Sequence, residues 1–169
     1  MSPTRLTVLA VVLSAAGCTP VIMKTPVNGP PIAVARLAGE WQGDYSSAES
    51  GRRGVIAFRL RAGSDTAEGD VIMQSRDESD PTAPNVSGVP WDAVRTTHQP
   101  LAIRFVFVSD NEVSGMLSPY RDPDCGCMLT TTFRGTLKGD VIEGTFRSEG
   151  DGFLHIPAAG QWRVKRYTP

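Results

Sequence analysis

Apolar and polar residues alternate with a period of two along most of the chain after Gly39. In the segment 101–108, for example, Leu101, Ile103, Phe105 and Phe107 occupy every second position. A period of two is typical of strands that bury one face, and no segment has the period of a long amphipathic helix. The alternation predicts eight strands, at 39–46, 54–61, 68–75, 101–108, 112–118, 128–137, 140–147 and 160–167.

Short segments rich in Gly, Asp, Asn and Ser separate these strands, as expected for hairpin turns. They lie at 62–65, 109–111, 138–140 and 149–152. Together they favour an all-β fold, an eight-stranded antiparallel up-and-down barrel, because closure of the sheet removes exposed strand edges. A β-sandwich is the alternative. We expect residues 36–169 to form this single β-barrel domain.

The segment Gly39-Glu40-Trp41, at the start of the first predicted strand, resembles the Gly-x-Trp motif that opens the barrels of the lipocalin and calycin families. The resemblance implies a lipocalin-like barrel in which Trp41 closes one end against a basic residue of the last strand. Arg163 and Arg166 are the candidates for that residue. We also expect Trp162 to be buried at the same closed end.

The N-terminus has the three parts of an export signal. Arg5 supplies a positive charge, an uncharged apolar stretch follows, and small residues precede Cys18. The segment 13–18 (LSAAGC) resembles a bacterial lipobox, which implies that residues 1–17 are a signal peptide and that Cys18 is acylated. Thr19 resembles the residue that follows the cysteine in outer-membrane lipoproteins. We therefore expect a lipid anchor in the cell outer membrane, with the protein facing the periplasm.

Prolines dominate the segment that follows the cysteine. Residues 18–35 contain Pro20, Pro26, Pro30 and Pro31, a composition typical of extended, semi-rigid spacers. This segment is therefore predicted to tether the domain to the membrane. The last residues before the barrel, Ile32–Leu37, are long enough for one helical turn at the bottom of the domain.

Lipidation of Cys18 leaves Cys125 and Cys127 as a pair in an oxidising compartment. Alternate residues of an extended strand are near the upper limit for a disulfide, so a bond between them requires a local turn, for which Gly126 is suited. Three interpretations remain open: a structural disulfide, a reducible redox pair, and a soft-metal site completed by Met116 or Met128.

Two other segments carry residues that commonly anchor ligands or partners. The segment 76–99 is too long for an ordinary hairpin connection and contains Trp91. Tyr120 and Arg121 follow the fifth predicted strand and lie in a second loop. Exposed Trp, Tyr and Arg residues often dominate binding interfaces, so these three are the candidate ligand- or partner-binding residues.

Charge and motifs exclude several classes of function. The chain has 17 basic and 18 acidic residues, interspersed and without a basic run, which argues against nucleic-acid binding. The common hydrolase, metalloprotease, phosphate-loop and dinucleotide-binding motifs are absent from the sequence. We therefore expect no enzyme activity and no cofactor or metal.

Two functional hypotheses remain. The first is a module that binds a small apolar ligand inside the barrel, supported by the apolar faces predicted to point inward: Ile56, Phe58, Leu60, Ile103, Phe105 and Phe107. The second is a protein-interaction lipoprotein, such as a hydrolase inhibitor or an envelope-assembly partner. An internal cavity of several hundred cubic ångströms favours the first, because ligand sites typically have that size.

Overall fold

A closed β-barrel forms from the predicted strands and from one further strand near the N-terminus. A computed structural model of the chain describes residues 24–74, 100–122, 125–150 and 158–168. The elements in this part are β1 (Lys24–Asn28), α1 (Pro31–Arg36), β2 (Gly39–Ser46), β3 (Arg53–Leu60), β4 (Thr66–Gln74), β5 (Pro100–Ser109), β6 (Glu112–Leu117), β7 (Tyr120–Arg121), β8 (Met128–Lys138), β9 (Val141–Gly150) and β10 (Ala158–Tyr167).

The long strands follow one another around the barrel in antiparallel pairs. The order β2-β3-β4 continues through β5 and β6 to β8, β9 and β10. The barrel closes where β10 pairs with β2 over seven residue pairs, from Gln161↔Ser46 to Tyr167↔Glu40. One closed sheet therefore forms, and the sandwich alternative is wrong. The short strand β7 pairs only with β8, outside the ring.

The prediction of eight antiparallel strands misses β1. This strand lies between β4 and β5, antiparallel to β4 and parallel to β5, so the barrel is nine-stranded and mixed. Its inward residues are Thr25 and Val27, both buried, and the Thr25 hydroxyl donates a hydrogen bond to the carbonyl of Ile103. The segment predicted as a spacer thus enters the barrel at Lys24. A strand of five residues has only two inward positions, which is too few for the alternation to be recognised in a proline-rich segment.

The predicted helical turn is present as α1. Pro31 occupies the first turn of this helix, where its missing amide hydrogen is not needed. Ala33 and Leu37 are buried against the barrel interior, so the helix covers the end of the barrel at which β2 begins. Within the described ranges, no helix is both long enough and apolar enough to cross a membrane.

Inward-facing residues form one apolar cluster. Trp41, Leu60, Ile142 and Val164 are almost completely buried, and each occupies an inward position of a different strand. The predicted phase is confirmed in β3, where Ile56, Phe58 and Leu60 face the interior, and Trp41 of β2 and Trp162 of β10 are buried as predicted.

A β-bulge changes the phase of the alternation within β5. The register with β6 shifts between Ile103 and Phe105, so one extra residue is inserted in β5. As a result Ile103 points inward before the bulge, whereas Val108 does so after it and is fully buried. Phe107 was predicted to point inward, but it is 49% exposed. That prediction was wrong because a single inserted residue moves every later side chain to the other face.

Because of the bulge, we expect truncation of the smaller residue, Val108, to destabilise the protein more than truncation of the larger residue, Phe107. Val108→Ala should reduce the free energy of unfolding by about 2 kcal/mol, because it leaves a cavity in the core. Phe107→Ala should cost less than about 1 kcal/mol, because half of the ring is already in water. Urea unfolding of the two variants measures both effects. An equal or larger loss for Phe107→Ala would contradict the bulge.

Candidate functional site

The barrel encloses a cavity of about 430 Å³. At the end covered by α1, hereafter the closed end, its walls are apolar and include Leu37 and Leu60. At the other end, hereafter the polar end, its lining includes Tyr45, Tyr120 and the exposed residues Glu49 and Cys125. The cavity therefore reaches the surface at the polar end. Its middle is lined by Ile56, Phe58, Val71, Ile103, Val106, Phe133, Phe146 and Trp162.

The closed end is built around Trp41, which is 0% exposed. Its indole Nε1 donates a hydrogen bond to the carbonyl of Leu37 at 2.8 Å, which ties β2 to the end of α1. Arg166 lies directly opposite Trp41 on β10, and its guanidinium carbon is 4.2 Å from the centre of the indole ring. This distance is well within the range of a cation–π interaction.

Arg166 also binds the carbonyl groups at the C-terminal end of α1. Its guanidinium donates hydrogen bonds to the carbonyls of Arg36 and Ala38 and forms an ion pair with Asp140 at 2.7 Å. The carbonyls at a helix C-terminus lack partners within the helix, so a cation there is favourable. Arg166 therefore joins α1, β2 and β10 at one point.

Gly39 allows this arrangement. Its φ of +122° lies in a region that residues with a side chain rarely adopt, and an added Cβ would lie 2.7 Å from Arg166 Nη1. Arg163, the other predicted candidate, instead points outward: its side chain is 53% exposed and lies 3.9 Å from Glu143. The difference follows from alternation, since Arg163 and Arg166 are an odd number of residues apart.

Trp162 is buried as predicted, but it is not at the closed end. It pairs with Tyr45, four residues along β10 from Arg166, or roughly 13 Å at the rise of a strand. Its ring meets Phe133 edge to face, and its Nε1 donates to the carbonyls of Arg134 and Thr145. Trp162 therefore lines the middle of the cavity.

Three hydroxyl groups form a chain at the polar end. The Tyr120 hydroxyl lies 3.1 Å from Thr131 Oγ1, which in turn lies 2.7 Å from Ser148 Oγ. Thr131 and Ser148 are each 5% exposed, on the inward faces of β8 and β9. Nearby, Tyr45 meets Phe146 edge to face, with ring centres 5.6 Å apart. Burial raises the pKa of Tyr45 above its usual range, Tyr120 adds to this effect, and Arg52 opposes it. Tyr45 therefore remains a neutral hydroxyl.

A buried ion pair lies beside these hydroxyls. Arg52 Nη2 is 2.5 Å from Asp122 Oδ1, and the two side chains are only 12% and 6% exposed. Both residues line the cavity. The pair joins the β2–β3 connection to the segment between β7 and β8. At the same end, Glu49 accepts a hydrogen bond from the amide of Ala159 at 2.6 Å.

Cys125 and Cys127 form a disulfide across a tight turn. The Gly126 amide donates to the carbonyl of Asp122, the Asp122 amide donates to the carbonyl of Cys127, and Gly126 has a φ of +64°. The turn that the sequence required for this bond is therefore present. Since thiolates bind soft metals, the metal hypothesis would first require reduction of this bond.

Tyr120 and Arg121 point to opposite sides of β7. Tyr120 lines the cavity through its contact with Thr131, whereas Arg121 is exposed and donates a hydrogen bond to the carbonyl of Gly126. The other two residues singled out in the sequence, Cys18 and Trp91, lie outside the described residues. Of the predicted binding residues, the structure thus brings Tyr120 to the cavity.

Sequence reasoning missed Tyr45, Arg52, Asp122, Thr131 and Ser148. A signal existed for two of them, because Thr131 and Ser148 place hydroxyls at inward positions of otherwise apolar faces, and buried polar groups are uncommon. No comparable signal existed for Arg52 and Asp122. They are 70 residues apart, and only closure of the barrel brings them together.

Comparison with family models, curated proteins and solved structures found no match in any of the three. Within the described residues, no group of three or more His, Cys, Asp or Glu side chains is placed to hold a metal ion.

The closed end yields a testable prediction with a matched control. Arg166→Met should lower the free energy of unfolding by about 1–3 kcal/mol, through loss of the contact with Trp41 and of the donors to two carbonyls. Arg163→Met makes the same change at an outward position and should have an effect within about 0.5 kcal/mol of zero. Chemical denaturation measures both variants. Equal losses would show that Arg166 has no special role in closure.

Proposed function

We propose that this protein is an outer-membrane lipoprotein, anchored through Cys18, whose barrel binds a small apolar molecule. The observation that carries the proposal is the cavity of about 430 Å³. Ligand sites typically measure about 300–1,000 Å³ and are mainly apolar with a few polar groups. The interior of an eight-stranded barrel is just wide enough to be filled by side chains or to hold one small ligand, so a cavity in a barrel of similar size supports a binding role.

Small side chains contribute to this cavity. Gly69 and Ala67 on β4 face the cavity, as do Thr25 and Val27 on the inserted strand β1. Larger side chains at these positions would occupy the volume of the cavity. The cavity therefore results from which residues point inward as well as from the width of the barrel.

The alternative of a protein-interaction lipoprotein has less support. Tyr120, one of its three candidate anchors, is directed into the cavity and hydrogen-bonds there with Thr131. A side chain held in this way contributes little to an outer binding surface.

The proposed anchor would hold the barrel close to the membrane. The structure places Lys24 at the start of β1, so six residue steps separate it from Cys18. An extended chain of this length spans at most about 20 Å. The ligand source available at that distance is the membrane itself, which favours a lipid-like molecule as the occupant.

Filling the cavity should abolish binding. Val71→Phe places a ring in the cavity, whereas Thr132→Phe places the same ring on the exposed face of β8. Native mass spectrometry of the protein purified from the envelope should detect a bound small molecule in the wild type and in Thr132→Phe, but not in Val71→Phe. Fluorescence of the apolar probe N-phenyl-1-naphthylamine should increase with the same two proteins only. If all three proteins bind the probe alike, its site is not the cavity.

The anchor is tested separately. Cells grown with labelled palmitate should transfer the label to the wild-type protein and not to Cys18→Ser, because the thiol is the acylated group. Cys125→Ser is the control and should keep the label. Acylation of Cys18→Ser would contradict the proposed anchor and leave the cavity proposal unaffected.

A further inference from the structure

The polar end of the cavity is rich in uncharged hydrogen-bonding groups. Hydroxyls of Tyr45, Tyr120, Thr131 and Ser148 line it. The three-hydroxyl chain of Tyr120, Thr131 and Ser148 contains three hydrogens, of which its two internal hydrogen bonds use two. One hydrogen therefore remains for another acceptor, and the hydroxyl oxygens retain lone pairs for a donor.

Tyr45 adds a second group of the same kind. Its hydroxyl borders the cavity and is hydrogen-bonded to none of the described residues. Because Tyr45 faces the cavity, a ligand that pairs with its hydroxyl gains a hydrogen bond from that contact. Tyr45 and the hydroxyl chain together can donate to and accept from one small polar group.

The charges at this end disfavour an ionic ligand. Among the described residues that line the cavity, the charged ones are Glu49, Arg52 and Asp122. Arg52 is the positively charged residue of these three, and it is already paired with Asp122 at 2.5 Å. A carboxylate entering here would compete with Asp122 for Arg52, and two acids would then share one base in a largely buried position. An ammonium group would compete with Arg52 for Asp122, because the other acid, Glu49, already accepts a hydrogen bond from the amide of Ala159.

Resting on the function proposed above, we propose that the cavity takes a single-chain lipid with an uncharged head group, a hydroxyl or an ester. The apolar chain lies toward Leu37 and Leu60 at the closed end. The head group lies at the polar end, between Tyr45 and the hydroxyl chain. A cavity of about 430 Å³ lies toward the small end of the range of ligand sites, about 300–1,000 Å³, which suits one chain better than two.

Three amphiphiles that share one chain length test the head group. Lauryl alcohol, laurate and laurylamine compete with N-phenyl-1-naphthylamine for the wild-type protein at neutral pH. Lauryl alcohol should displace the probe at a concentration at least about tenfold lower than either charged compound. Equal or stronger displacement by laurate or laurylamine would overturn the head-group proposal and leave the binding function in place. Failure of the probe itself to bind would overturn both.

Two variants connect this preference to the residues named. Asp122→Asn removes the carboxylate charge beside Arg52 and should shift the preference toward laurate by about tenfold. Asp44→Asn makes the same change at an exposed position of β2 and should not alter the preference. Tyr45→Phe should weaken the affinity for lauryl alcohol more than the affinity for the probe, because only the alcohol pairs with the hydroxyl that is lost. This variant removes one oxygen atom only, so it remains informative if Asp122→Asn does not fold. An unaltered order of affinities in both Tyr45→Phe and a folded Asp122→Asn would contradict the proposed head-group site.

Discussion

Closure of the barrel depends on the contact between Trp41 and Arg166. The two residues are register partners on β2 and β10, the strands that join the ends of the sheet. Trp41 is completely buried, and the Arg166 guanidinium covers its ring while binding the carbonyls that end α1. One contact thus fixes the register of the closing strands, positions the helix that covers the closed end, and removes two exposed sheet edges.

The register set at the closed end determines what faces the cavity. Side chains alternate along each strand, so residues an even number of positions from Trp41 on β2, or from Arg166 on β10, point inward. Tyr45 and Trp162 are inward for this reason. The bulge in β5 is the exception, because it returns Val108 to the core and turns Phe107 toward solvent. The residues that β5 contributes to the interior therefore follow a different alternation before and after the bulge.

The two ends of the barrel differ in chemistry. The closed end is apolar because the residues buried there, Trp41, Leu37 and Leu60, are hydrophobic. At the other end, the Arg52–Asp122 ion pair and the hydroxyl chain lie where the cavity meets solvent. The disulfide turn joins these features, since Asp122 also accepts a hydrogen bond from the amide of Cys125. A polarity gradient along one axis matches an amphiphile better than a uniformly apolar molecule.

The sequence by itself determined the eight long strands, the single helical turn and the inward phase of β3, because alternation and turn residues are local properties. It also indicated Gly39, Trp41 and a basic partner, although not which arginine. Only the tertiary structure decided that β1 enters the sheet, that Phe107 points outward and that Arg52 meets Asp122. Each of these depends on pairing between segments far apart in the chain, as when Thr25 binds the carbonyl of Ile103, 78 residues away. Such pairings are selected by closure of the whole sheet, which no local pattern encodes.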